Sequence, residues 1–166
     1  LAAWGWVLMR GMDMIEQDAQ LDEKKVLLTG SSRLAKAAMS ASAFDERFPL
    51  VVLNQTGGGG VPLQKHYFGE NVATMTRQFK HWYCKAFAKY ANNEANLPFD
   101  QHMLLACIAP RALMVQGFDE KWFDTKGEFM AMKAASPVWE FLGAEGLPNV
   151  EWPAAYDKRA IGSTLG

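Results

Sequence analysis

Short apolar runs alternate with longer amphipathic stretches along this chain, and the alternation predicts its elements. Trp4, Val7, Leu8, Gly11, Met12 and Ile15 recur at helical spacing, so the opening segment to Gln17 reads as an amphipathic helix. Asp18 to Lys24 is polar and loop-like, and Val26 to Leu28 is an apolar run of a length that suits a buried parallel strand. From Arg33 onward Leu34, Ala35, Ala37, Ala38, Met39 and Ala41 make an Ala-rich stretch with helical propensity. Asp45 to Arg47 is a turn, and Phe48 to Leu53 is a second, β-branched strand that ends at Asn54-Gln55-Thr56 and four glycines. Gly69 to Tyr90 reads as broadly helical, with Phe79, Trp82, Tyr83, Phe87 and Tyr90 expected in core or lid packing. A short helix carries Met103, Leu104, Leu105 and Ile108, and Ala112 to Gln116 is a third strand. Gly127 to Leu142 is again an amphipathic helix, and Leu147 to Glu151 suggests a fourth strand. This order predicts an α/β fold, with a parallel sheet covered on both faces.

The totals narrow the function classes. A 166-residue chain that is 49% hydrophobic suits one packed domain. Its net charge of -1, with no clustered basic stripe, gives no case for nucleic acid. No apolar run approaches a membrane span. Cys84 and Cys107 are expected as buried thiols. The chain opens at Leu1-Ala2-Ala3-Trp4, already inside a helical pattern and without a signal peptide. The expectation is a piece of a longer chain, a single partial domain over residues 1–166 cut at both ends.

One stretch organises the chemistry. Lys25-Val26-Leu27-Leu28-Thr29-Gly30-Ser31-Ser32-Arg33 turns from strand to helix through Gly-x-Ser, which is the form of a nucleophile elbow. Such a turn needs a small residue two positions before the serine, which is Gly30. It would present Ser32, rather than Ser31, at the helix N-terminus. Taken alone, the motif is equally a structural turn. Thr29-Gly30-Ser31-Ser32 also has the look of a short-chain dehydrogenase start, but Arg33 and Ala35 replace the glycines a pyrophosphate needs, and no Tyr-x-x-x-Lys follows. A P-loop fails because Lys36 lies between Ala35 and Ala37. The glycine run Gly57 to Gly60 is expected as a loop at the carboxyl edge of the sheet.

Several blocks in order carry a resemblance. Gly30-Ser31-Ser32-Arg33-Leu34-Ala35-Lys36, Asn54-Gln55-Thr56-Gly57-Gly58-Gly59-Gly60 and Phe68-Gly69-Glu70 are the first three. His81-Trp82-Tyr83-Cys84, Leu97 to Leu104, Ile108-Ala109-Pro110-Arg111 and Trp122-x-Asp124-x-Lys126-Gly127-Glu128-Phe129 follow. Over roughly residues 1 to 150 the chain resembles the glucuronoyl esterases, carbohydrate esterase family 15, especially their bacterial branch. The resemblance implies the carboxy-terminal portion of an α/β-hydrolase fold, a three-layer sandwich around a parallel sheet. It implies a serine carboxylic-ester hydrolase acting on esters of (4-O-methyl) glucuronic acid, such as glucuronoxylan or lignin–carbohydrate esters. No cofactor, metal, nucleic acid or membrane partner is expected, and the resemblance implies a secreted or periplasmic protein.

Site residues follow from the same likeness. Ser32 would attack the ester carbonyl and form an acyl-enzyme. Arg33 would stabilise the oxyanion through its backbone N–H and guanidinium. Lys36, four residues on, would hold sugar hydroxyls, although without the resemblance a solvated lysine is an equal reading. Glu70 and Trp122 match sugar-contact positions, with Trp122 as a stacking platform, whereas Trp82 is expected in the core. Gln55 occupies the place where many members carry the acid, so the acid would come from the loop after the third strand, as Glu120 or Asp119. Glu120, three residues after Gly117, has the more usual spacing.

The general base is the gap. His66, His81 and His102 all precede the acid loop, which is not the hydrolase order. His66 is expected on a solvated loop, His81 packed among aromatics and His102 in a cap beside Asp100. By itself the chain is therefore expected to be inactive. The alternatives are a non-catalytic carbohydrate-binding remnant using Lys36, Glu70 and Trp122, and a NAD(P)-binding dehydrogenase-like protein.

Overall fold

The computed structural model describes residues 1–118, 120–147, 151 and 152, and for Glu120 the backbone alone. Three parallel strands, β1 (Leu27–Ser31), β2 (Leu50–Asn54) and β3 (Ala112–Gln116), stand in the order β1-β2-β3. Six α-helices accompany them among the described residues: α1 (Ala2–Gln17), α2 (Arg33–Phe44), α3 (Val72–Gln78), α4 (Gln101–Ala106), α5 (Glu120–Phe123) and α6 (Thr125–Phe141).

Register decides which side chains reach the core. Leu28, Val51 and Leu113 form one row across the sheet, and Gly30, Leu53 and Val115 form the next row on the same face. That face packs into one cluster with Ala35, Ala38, Met39 and Ala41 of α2 and with Ala131, Met132, Ala135 and Trp139 of α6. The small side chains of α2 let the helix lie close on β1 and β2, which keeps its N-terminus at the sheet edge. α1 packs on α2, and α4 bridges α2 and α6, so these helices stack on one side.

The other face is open among the described residues. Leu27, Leu50 and Met114 on it are 50%, 38% and 43% exposed. A sheet covered on both faces was the expectation; this segment supplies one helical layer, and the second is not among the described residues. Among the described residues β1 and β3 each pair with β2 alone, so both are edge strands of this three-stranded sheet.

Arg111 locks the far end of the sheet. Its guanidinium donates to the carbonyls of Asp45, Phe48, Ser42 and Cys107 at 3.1, 3.2, 2.6 and 3.1 Å. Trp139 Nε1 donates to the Arg111 carbonyl at 3.0 Å. One side chain thus satisfies orphan carbonyls at the ends of α2 and α4 and ties them to the entry of β2.

Two further expectations change, and a third falls largely outside the described residues. The helix read over Gly69 to Tyr90 is α3 followed by turns and a 3-10 turn at Phe87–Tyr90. The aromatic spacing there serves ring packing, with Phe79 and Trp82 stacked at 4.0 Å. Both cysteines are exposed rather than buried. Most of the fourth strand's residues, 148–150, lie outside the described residues.

Candidate active site

β1 feeds α2 through a single strained residue. Ser32 sits at φ 55°, ψ -127°, a region that serine occupies only where the surroundings impose it. The backbone amide of Ser32 donates to the Asn54 carbonyl at 3.0 Å, and its carbonyl accepts from the Lys36 amide at 3.2 Å, as the first turn of α2 begins. Its side chain makes no capping bond to the helix. The hydroxyl is therefore left for other chemistry at the positive end of a twelve-residue helix. Gly30 is required here for space: a Cβ would lie 2.6 Å from the backbone of Leu34. The missing side chain makes room for the first turn of α2 directly behind the strand end.

Beside the elbow lies a buried ion pair. Lys36 Nζ meets Glu70 Oε2 at 2.8 Å, with side chains 2% and 4% exposed. Lys36 is thus not the solvated lysine that its sequence alone allowed. Burial pulls the Lys36 ammonium below its ordinary value, and Glu70 opposes that shift. Trp82 lies beneath the cations, its ring 5.2 Å from Lys36 Nζ and 5.8 Å from the Arg33 guanidinium. Trp82 is buried, as expected, while its cation–π contacts leave no trace in the pattern of residues.

The glycine run follows β2, at the carboxyl edge of the sheet as anticipated. Its function is close approach. A Cβ on Gly57 would stand 2.6 Å from Glu70 Oε2, and one on Gly58 would overlap the Glu70 carbonyl. Tyr83 closes the other side, its hydroxyl donating to the Gly58 carbonyl at 3.3 Å. Burial, followed by the charge of Glu70, raises the Tyr83 phenol above its ordinary value, so it remains a neutral donor. The Glu70 amide donates to the Trp122 carbonyl at 3.0 Å, which brings these two predicted sugar-contact residues together. Trp122 is 42% exposed on α5, as a stacking surface must be.

The acid loop is only partly defined. Asp119 lies outside the described residues; Glu120 opens α5, and its side chain is likewise outside them. Gln55 brackets that loop. Its backbone N–H donates to the Gln116 backbone carbonyl at 2.7 Å, and its side-chain Oε1 accepts from the Phe118 backbone N–H at 3.1 Å.

No imidazole hydrogen-bonds Ser32 among the described residues. His66 is not a solvated loop residue: Nδ1 lies 2.8 Å from Oδ2 of buried Asp124. His81 is exposed rather than packed, meeting Trp82 only at a ring edge. Asp100, not His102, caps α4, by accepting from the Gln101 amide at 2.8 Å.

Glu128 was not anticipated. Its Oε1 accepts from the Thr56 amide at 3.0 Å and from Thr56 Oγ1 at 2.6 Å, which fixes the start of the glycine loop. Burial pushes its carboxyl up to about 7, against the pull of the Thr56 hydrogen bonds and with a push from Asp124. The folded state therefore holds a proton that the unfolded chain releases near its ordinary 4.5. Stability from this group is full below that value and is lost as pH rises to about 7, by about 3 kcal/mol. Glu128→Gln should flatten that part of the profile. Urea unfolding at about pH 5 and pH 8 checks this, and an equal wild-type-to-variant difference at both values would refute it.

Comparison with known proteins now adds the lineage. A family model described as glucuronyl esterase, fungi, matches residues 1–143. Carbohydrate esterase MZ0003, from an unknown prokaryotic organism, is 41% identical over 167 aligned positions, which cover 100% of this chain and 38% of that protein. The 4-O-methyl-glucuronoyl methylesterase of Schizophyllum commune is 32% identical, covering 95% of this chain and 45% of its own. The solved glucuronoyl esterase from Solibacter usitatus superposes with a TM-score of 0.91 at 39% identity, covering 98% of this chain and 41% of that one. The chain thus spans less than half the length of these relatives, and its sheet and helices are part of an α/β-hydrolase domain. By sequence and by fold, it belongs to the glucuronoyl esterases, carbohydrate esterase family 15.

Proposed function

We propose that this chain carries the nucleophile and sugar-holding half of a serine esterase that cleaves esters of (4-O-methyl) glucuronic acid in plant cell-wall xylan. The observation that carries the reading is Ser32, held at φ 55° with its hydroxyl not engaged in capping, next to the buried Lys36–Glu70 pair. Ser32 Oγ attacks the ester carbonyl and passes its proton to an imidazole; the alcohol leaves, and water releases the uronate from the acyl-enzyme. Arg33 stabilises the oxyanion through its backbone N–H and its guanidinium, which Trp82 holds in place. Lys36 and Glu70 hold the sugar hydroxyls, Trp122 stacks on the ring, and Asp119 or Glu120 orients the base.

All three histidines of the chain lie among the described residues, and none hydrogen-bonds Ser32. The base is accordingly assigned to a histidine elsewhere in the protein that carries this segment. Because no imidazole reaches Ser32, the segment by itself is expected to bind uronate saccharides without turning them over. The protein carrying it is expected to hydrolyse methyl 4-O-methyl-glucuronate and to leave xylose acetates intact, as read by product chromatography. Equal rates on both esters, or none on the uronate, would refute the substrate class.

A further inference from the structure

The connection from α3 to the 3-10 turn Phe87–Tyr90 carries charges that the proposed esterase site does not use. Between Glu70 and Glu94 the sequence has four cations, Arg77, Lys80, Lys85 and Lys89, and no Asp or Glu, although the chain's net charge is -1. Both flanking acids are committed to the interior. Glu70 pairs with Lys36, and Glu94 Oε1 accepts from the Val72 amide at 3.1 Å. Among the described residues none of the four cations forms an ion pair. α3 packs against the 87–90 turn, and where they meet lies a cleft of about 230 Å3 lined by Thr76, Lys80, Tyr83, Cys84, Lys85 and Ala88. Tyr83 is a wall shared with the site, since its hydroxyl reaches the Gly58 carbonyl of the glycine loop. The adjacent Trp82 carries Arg33 and Lys36.

We propose that this cleft is a second subsite, which binds a free carboxylate of an acidic saccharide beside the uronate whose ester reacts at Ser32. This inference rests on the esterase reading. The ester bond at Ser32 is neutral, so the cleft's lysines recognise a different group: an unesterified uronate further along the same saccharide. Ammonium groups on flexible stems suit a carboxylate that arrives in varied orientations. The cleft is smaller than the ~300–1,000 Å3 of drug-sized pockets, so it takes one sugar, with Tyr83 and Ala88 against its apolar face. Attraction between exposed charges is screened beyond about 8 Å at physiological salt, so the contribution must fade with ionic strength.

The test uses the protein carrying this chain and two esters: methyl glucuronate, and a methyl-esterified glucuronoxylan oligosaccharide with one further free uronate. The double variant Lys80→Ala/Lys85→Ala should raise KM for the oligosaccharide about 3- to 10-fold at low salt. It should leave kcat, and kcat/KM for the small ester, within about twofold, and the KM difference should vanish at about 0.5 M salt. Lys80→Arg/Lys85→Arg, which keeps the charge, should restore the KM. An unchanged KM at low salt overturns the subsite, as does an equal loss on both esters. If neither ester is hydrolysed by the wild type, the esterase reading falls, and the cleft is judged by calorimetric titration with the unesterified acidic oligosaccharide. Weaker binding by the double alanine variant then supports the cleft, and equal binding overturns it.

Discussion

Replacing Ser32 with alanine should lower turnover of a glucuronate ester by about 10⁶-fold in the protein that carries this chain. The size of the loss follows from what the elbow holds. A helix N-terminus, a strained φ of 55° and a hydroxyl free of capping all converge on one oxygen. Without that oxygen no acyl-enzyme forms, and only binding and oxyanion stabilisation remain. Ser31, one residue earlier, is the control: it is the last residue of β1 and exposed, so Ser31→Ala should leave the rate within about twofold. The same assay identifies the acid. Asp119→Asn and Glu120→Gln differ in one respect, since only the residue that orients the base should cost about 10⁴-fold. A Ser32→Ala protein that keeps more than a hundredth of the wild-type rate would rule out the nucleophile assignment. Burst kinetics of alcohol release in the wild type, absent from the variant, would be the complementary sign of an acyl-enzyme.

Much of the framework was legible because it depends on local pattern. β3 runs over Ala112–Gln116, the apolar run read from the sequence, and Gly30 is small because the backbone of Leu34 passes within 2.6 Å of where a Cβ would sit. β1 extends to Ser31, beyond the run Val26–Leu28, because Thr29, Gly30 and Ser31 pair in register with Val52, Leu53 and Asn54. Pairing of that kind joins residues more than twenty positions apart and leaves no periodic trace. The same holds in the site. Lys36 meets Glu70 across 34 positions, and Thr56 meets Glu128 across 72. The segment Gly69–Tyr90 misled because aromatic residues at helical spacing pack equally well from turns, as the stacked Phe79 and Trp82 do. His66 looked solvated because its partner, Asp124, is 58 residues away. The resemblance offered Glu70 and Trp122 as candidate sugar contacts, but not Trp82 beneath Arg33 and Lys36 or Tyr83 against Gly58.

Breaking the Lys36–Glu70 pair from one side should cost about 3–5 kcal/mol of folding stability, and removing both charges should cost clearly less. Both side chains are almost wholly buried, and each is the other's compensation at 2.8 Å. Lys36→Met leaves the Glu70 carboxylate against Gly57, where a Cβ would already stand 2.6 Å from Oε2. With the pair almost wholly buried, the carboxylate left behind must remain charged at high cost or take up a proton. Glu70→Gln should cost less. Burial already pulls Lys36 below its ordinary value, so loss of Glu70 lets the ammonium shed its proton, while the amide oxygen still accepts from Nζ. The double variant Lys36→Met/Glu70→Gln leaves no buried charge, and its loss should fall short of the sum of the single losses by about 1 kcal/mol or more, on the order of a close-pair coupling. Denaturant unfolding of the four proteins in the cycle reads this directly. Additive losses within about 0.5 kcal/mol would show that the two residues act independently. Activity should follow a different order: all three variants should lose uronate-ester turnover, because the pair that recovers stability in the double variant is the same pair assigned to hold the sugar.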